Sequence, residues 1–348
     1  MISKAFAFFT AAILLLNTVA FASADTHGRK SKKRDSNALV ALLPASDGVA
    51  TFDAHRFFNS AMPQILSKNQ PLLAQITAHM TEIETRTGID LKKFDSLVVG
   101  LGITKLAPKK FTVDPVAIAR GDIRAGALIS VAKLASNGTY REEKYGERTI
   151  YVFSTEAAAK TAAAKGPQAA SMISGALDSL THEVAVSALD DNTLVFGSPA
   201  RVRETLDAKT QVSPEVVGLL SAKESSVVTF AVRTPEGMSS LLPLENDELG
   251  NNIDSIKFVA GTMDVDAAGA AMQVTARTAR PEQAKNLYDT LDGLKMLGKA
   301  FLGGSKRADQ QVYGKLIENA KIGLRGSTVT LDLIIPQADI DVMIASVH

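Results

Sequence analysis

Four short polar turns constrain this chain more than any other feature. Tyr145-Gly146-Glu147, Asp190-Asp191-Asn192, Asp266–Gly269 and Arg325-Gly326-Ser327 each stand between two apolar, β-prone runs. Links this short join antiparallel neighbours, because a parallel crossover needs a dozen residues or more. The runs are Thr139–Lys144 with Arg148–Phe153, Val184–Leu189 with Thr193–Phe196, Ile256–Val265 with Ala271–Thr278, and Lys321–Leu324 with Thr328–Ile334. Glycine supplies the turn backbone in three of the four cases and Asp/Asn in the other. Further strands are expected at Val49–Phe52, Leu97–Leu101, Val116–Ala119 and Val227–Val232.

Helices are expected between these strands. Asn69 suits an N-cap and Pro71 the first turn, with Leu72, Leu73, Ile76, Met80 and Ile83 on one face and Gly88 as the stop. Asp122 is the expected cap of a helix burying Ile123, Ala127, Val131 and Leu134. Residues 155–165 have the composition of a helical spacer, broken by Gly166-Pro167. Pro199 opens a helix to about Ala208, and another piece lies near Glu236–Leu242. Pro281 opens one with Ala284, Leu287, Leu291, Leu294 and Leu297 inward; Arg307–Asn319 is helical, and Pro336 opens the last.

The order repeats. Val49-Ala50-Thr51-Phe52 matches Val227-Val228-Thr229-Phe230, and Phe94-Asp95-Ser96-Leu97 matches Ile253-Asp254-Ser255-Ile256. Strand, turn, strand, Pro-led helix occurs at 184–208 and again at 321–346. The expected fold is therefore α+β with two diverged internal repeats, each a mainly antiparallel sheet with helices packed on one face. Its segments are residues 1–24, a signal peptide; 25–38, a basic flexible stretch; 39–212, a first lobe; and 213–348, a second.

Residues 1–24 predict export. Lys4 precedes an apolar run from Ala5 to Phe21, which ends in Ala20-Phe21-Ala22-Ser23-Ala24. That is the charged, apolar, small-residue order of a secretory signal. Cleavage fits after Ala22 or Ala24, and Ala24 is preferred because Asp25 starts a polar stretch. The run is short for a membrane span and carries Asn17. The expected location is periplasmic or secreted.

The chain has no cysteine, which excludes disulfides, thiol catalysis, Cys-ligated zinc and lipid attachment through Cys. It has no Trp, so aromatic stacking platforms are scarce. Arg29, Lys30, Lys32, Lys33 and Arg34 concentrate positive charge at the start of the mature chain and leave a body of charge near −3. A nucleic-acid footprint is absent from such a body. The basic run reads as a solvated tether, with weak contact to an anionic surface as its one partner prediction.

Leu42-Leu43-Pro44-Ala45-Ser46-Asp47, Thr87-Gly88-Ile89-Asp90 and Phe94-Asp95 before a strand ending at Gly100 are followed by Arg120-Gly121-Asp122 leading to a helix, Tyr145-Gly146 and Ile150-Tyr151. This layout resembles a group of uncharacterised exported bacterial proteins of the kind seen in Acidobacteria. The resemblance covers most of the mature chain and implies compartment and fold. It implies no activity.

Motifs that carry chemistry are missing. His27, His55, His79, His182 and His348 show no ligand spacing. There is no G-x-S-x-G, and Ser67-Lys68 lacks the Ser-x-x-Lys spacing. Gly100-Leu101-Gly102 lacks the third glycine of a dinucleotide loop, and Gly303-Gly304-Ser305-Lys306 reads as a helix break. Arg120-Gly121-Asp122 and Asn137-Gly138-Thr139 read as a cap and a turn. Asp190-Asp191 and Asp264/Asp266 read as turn residues, and Asp339/Asp341 as helix positions that do not face each other. No catalytic, cofactor-binding or metal-ligating residue is nominated. The expected function is non-enzymatic binding of a ligand or partner, or a role in the envelope. The alternative is an exported hydrolase whose dispersed residues meet between lobes.

Overall fold

The structure is a computed structural model that describes residues 32–107, 110–136, 138–154, 183–220, 226–241, 247–302 and 308–345. The signal-like residues 1–24, the Ala-rich stretch at 155–165 and Gly303–Lys306 lie outside the described residues. The chain is α+β and divides into two compact units. The first comprises residues up to 55, 76–106 and 111–214; the second comprises 56–75, 107–110 and 215–348. Segments 56–75 and 107–110 therefore belong with the second unit, which a single cut at 212/213 does not anticipate.

The first unit holds β1 (Gly48–Asp53), β2 (Phe94–Ala107), β3 (Lys110–Gly121), β4 (Tyr140–Tyr145), β5 (Arg148–Ser154), β6 (Glu183–Asp190) and β7 (Thr193–Gly197). They lie in the order β1-β2-β3-β7-β6-β5-β4. Every pairing with a defined register is antiparallel. The β4–β5 turn pairs Tyr145 with Arg148, and Gly146 has φ +57°, the left-handed value the turn needs. β2 and β3 run well beyond the expected 97–101 and 116–119, because their outer ends, including Leu106 and Val113, are exposed and lack the apolar run that marks a buried strand.

Among the described residues three longer helices lie in this unit, and one more begins outside it. α1 (Lys32–Val40) occupies the second half of the stretch expected to be flexible, residues 25–38. Its end carries Leu39 and Val40, both buried, and Leu43 follows them into the core. Burying such side chains stabilises the fold by about 2 kcal/mol each, enough to hold a short helix against fraying. α2 (Gln70–Thr87) starts where the sequence places it: Leu72 N–H donates to Asn69 Oδ1 at 3.1 Å. Met80 is buried and Leu72, Leu73, Ile76 and Ile83 are half-buried, while the positions between them are mostly exposed. Gly88 ends it at φ +69°. α3 (Ala125–Ala135) and α4 (Pro199–Asp207) pack against β6, and α4 also against β7. Ser198 caps α4, its Oγ accepting from Arg201 N–H.

α3 corrects the sequence reading in two ways. Asp122 does not cap it; Arg124 occupies that position, with φ +43° and no side-chain cap. Its buried face is Ala125 and Ile129, while Ala127 and Leu134 are exposed. The helix starts two residues later than a cap at Asp122 implies, and Ile123 lies outside it. Asp122 N–H instead bonds Lys93 O at 2.8 Å.

The second unit holds β8 (Val228–Arg233), β9 (Ile256–Asp266), β10 (Gly269–Thr278), β11 (Lys321–Arg325) and β12 (Thr328–Pro336), in the order β11-β12-β10-β9-β8 and all antiparallel. α5 (Pro214–Leu219) and α6 (Asp247–Asp254) are helices the sequence reading left as connections. α7 (Pro281–Leu302), α8 (Ala308–Asn319) and α9 (Gln337–Ala345) complete the set. Ala284 and Leu287 of α7 join Val329 in a core with Ile256, Leu291 and Ile322. Leu294 and Leu297, expected inward, are exposed, because the helix outruns the strands that cover its first turns.

Residues 54–65 form one helical run with a π segment, Phe57–Ala61, in its middle. Met62 N–H reaches Phe57 O, one residue beyond an α bond. Pro63 follows, and its ring displaces the carbonyl four residues earlier.

Of the three sequence correspondences, 49–52 lies in β1 and 227–230 runs into β8, and a Pro-led helix follows both β7 and β12, but Phe94–Leu97 lies within β2 whereas Ile253 and Asp254 end α6, so the order of elements is only partly repeated. The units nevertheless carry seven and five strands among the described residues.

Candidate functional site

A cleft of about 330 Å³ opens in the first unit, lined by Gly88–Asp90 and Lys93 on one side and Asp122–Arg124, Ala127 and Leu128 on the other. Gly88 turns the chain out of α2. Asp90 then caps a single 3₁₀ turn, Leu91–Lys93, by accepting from Lys92 N–H at 2.9 Å through Oδ1. Leu91 points into the core and is 1% exposed. The opposite wall is held by backbone: Gly121 N–H bonds Asn192 O, Asp122 N–H bonds Lys93 O, and Ala125 N–H bonds Asp191 O. The Asp122–Arg124 wall is thus fixed to the β6–β7 turn, where Asp190 and Asp191 sit as the sequence implies, and the Asp122–Lys93 bond joins it directly to the opposite wall.

Asp90 is 5% exposed, yet its Oδ2 is buried with no hydrogen-bond partner. Leaving a buried acceptor unmet costs about 1–3 kcal/mol. Burial pushes the Asp90 carboxyl above its ordinary value, against the lowering by the Lys92 N–H and by the Lys93 and Lys92 charges. Partial burial, with the Asp90 charge second, also raises Glu84. Lys93 Nζ lies 3.6 Å from Asp122 Oδ2, an exposed pair of small worth. Arg124 stands at the rim, exposed, in a left-handed backbone conformation that side chains other than glycine rarely adopt.

The raised Asp90 carboxyl has a signed consequence. Between the ordinary carboxylate value and the raised one, the folded chain holds more protons than the unfolded chain, so stability falls as pH rises through that window. Asn at this position keeps the Lys92 bond and removes the charge. Asp90→Asn is expected to gain stability relative to the parent as pH is raised from about 3.5 to 7. Urea denaturation across that range measures it; a difference that shrinks with pH would mean the carboxylate is stabilised in the fold.

The remaining residues singled out in the sequence do not converge. His55 ends up in the 54–56 helical turn, and His79 lies on α2, 3.7 Å from Glu82. Gly100 and Gly102 sit within β2, and a Cβ on Gly100 would lie 2.6 Å from Ser46 Oγ, so they serve packing. Asp264 pairs with Arg56, Asp341 with Lys68, and Asp339 lies 3.7 Å from Lys315. Arg120 bonds Thr193 Oγ1 and faces Asp190. Arg29, Lys30, His27, Asn137, His182 and His348 lie outside the described residues; Lys32, Lys33 and Arg34 open α1. Among the described residues no three His, Asp or Glu side chains gather as metal ligands. No helix there is long and apolar enough to cross a membrane.

One spacing escaped the sequence reading: Ser130-Val131-Ala132-Lys133 is a Ser-x-x-Lys. A base lysine needs a lowered pKa. Lys133 is instead raised, first by its bond to Glu142, 2.7 Å away, and it lies over the rings of Tyr151 and Tyr140. Ser130 Oγ donates to Gly126 O. Lys133 latches α3 to the β4–β5 hairpin, and Ser130 is engaged within α3.

No protein family and no curated protein matches this chain. Among solved structures, crystal forms I and III of TP0453 are similar to it, with TM-scores of 0.44 and 0.43 at 10% identity. They cover 89% and 88% of this chain, and 97% of theirs.

Proposed function

We propose that this is an exported, non-enzymatic protein that binds a small ligand in the Asp90–Arg124 cleft. The observation that carries the reading is the make-up of that cleft. It offers space, apolar wall from Ile89, Ile123 and Leu128, and charged groups at its rim, but a single buried ionisable side chain, Asp90. Hydrolysis by acid, base or nucleophile calls for at least two such groups held together. Pockets that bind without reacting need only a few placed polar groups on an apolar wall. The signal-like residues 1–24 and the resemblance to exported bacterial proteins support the compartment.

Native mass spectrometry of the mature chain, purified from the extracytoplasmic fraction of its own host, tests this. The expected result is cleavage near Ala24 and a small-molecule adduct that Asp90→Asn weakens. A chain retained in the cytoplasm, or one free of any adduct that cleaves esters or amides in an Asp90-dependent way, would overturn the proposal.

A further inference from the structure

We infer that the cleft takes a small zwitterion of the α-amino-acid class, its ammonium on Asp90 and its carboxylate at Arg124 beside the start of α3. This rests on the binding reading above and deepens it. Two groups of opposite sign line the same cleft without a partner among the described residues. One is Asp90 Oδ2, in a side chain 95% buried. The other is the exposed guanidinium of Arg124. The remaining pair, Lys93 and Asp122, compensate each other. A cation alone would leave the Arg124 guanidinium to solvent, and an anion alone would leave Asp90 Oδ2 unmet. A ligand with both charges on one carbon skeleton satisfies the two together, through charge-assisted bonds.

Two further features agree. α3 is eleven residues long and its first turn borders the cleft, so its N-terminal backbone field favours a carboxylate there. Arg124 holds a conformation that glycine would adopt without strain. Such strain persists where a side chain is needed at that spot, which turns the outlier into a pointer to use. Ile89, Ile123 and Leu128 leave an apolar recess for an aliphatic side chain.

Calorimetric titration of the mature chain with leucine, isopentylamine and 4-methylpentanoate separates the elements. Leucine is expected to bind at least about ten-fold tighter than either truncated ligand, since each loses one bond to a charged group. Asp90→Asn should weaken leucine and leave 4-methylpentanoate unchanged. Arg124→Gly should weaken leucine about ten-fold, leave isopentylamine unchanged, and raise the melting temperature by about 2–4 °C. Equal binding of the amine or of the acid overturns the zwitterion. So does an Arg124→Gly variant that is more stable yet binds leucine as before. If none of the three ligands binds while the Asp90-dependent adduct persists, the amino-acid class fails and the binding proposal stands. If the adduct is missing too, both fail.

Discussion

Gly121→Ala is expected to destabilise the first unit by about 3 kcal/mol or more, at the severe end of single substitutions. An alanine Cβ at this position would lie 2.6 Å from Phe94 Cα and 2.8 Å from Lys93 C, and closer still to Lys93 O. All three are backbone atoms, so no rotamer change relieves the contact. The carbonyl involved is the one that accepts from Asp122 N–H, and its residue, Lys93, lines the cleft. The variant should therefore lose stability and ligand binding together. Thermal or urea unfolding measures the first. A loss under about 1 kcal/mol would show that β3 and the 91–93 turn can move apart, and that Gly121 is not the point of closest approach. The same contact explains why Arg120-Gly121-Asp122 reads structurally: its glycine is there for backbone proximity.

Leu91→Ala is expected to cost about 2–5 kcal/mol, the range for emptying a fully buried leucine site. Leu91 is 1% exposed and stands between Asp90 and Lys93 in their 3₁₀ turn. The cavity would remove the anchor that presents both side chains. Leu91→Met, similar in volume, should cost less than about 1.5 kcal/mol and retain binding. Matching stability in the leucine and alanine variants, by equilibrium denaturation, would mean that the turn is held by Asp90 and its capping bond rather than by core packing.

Most strands were legible because their signal is local. Alternating or apolar runs around Gly146, Asp190–Asn192, Asp266–Gly269 and Gly326 define four hairpins, and all four form. Asn69 and Gly88 bracket α2 for the same reason: a cap and a left-handed stop act on neighbouring backbone. Where the reading missed, the deciding contact lay far away in sequence. α1 is polar over most of its length and is fixed by Leu39, Val40 and Leu43 in the core. α6 carries Asn252, buried and bonded to Thr290 on α7, a polar position that no periodicity flags. α3 begins at Ala125 instead of after Asp122, whose backbone is tied to Lys93 O, a residue 29 positions away.

The candidate site was hidden for a related reason. Asp90, Lys93, Asp122 and Arg124 are ordinary surface residue types at unremarkable spacings. Asp122 was visible as a cap and Gly88 as a stop, but neither announces a cleft. Its character depends on burial of Asp90 and on the backbone sign at Arg124, and neither is a property of residue type.

The four polar turns by themselves determined the antiparallel pairing of this α+β chain, since links this short leave their strands no other arrangement. Asn69, Gly88 and Pro199 likewise determined where two helices start or stop. The tertiary structure alone decided which strands neighbour one another beyond each hairpin, how far β2 and β3 extend, which face of α3 is buried, and that a half-bonded aspartate and an unpaired arginine share one cleft. Each of those depends on long-range backbone bonds and on burial. Both arise only after distant segments have met, and so leave no periodic trace in the order of residues.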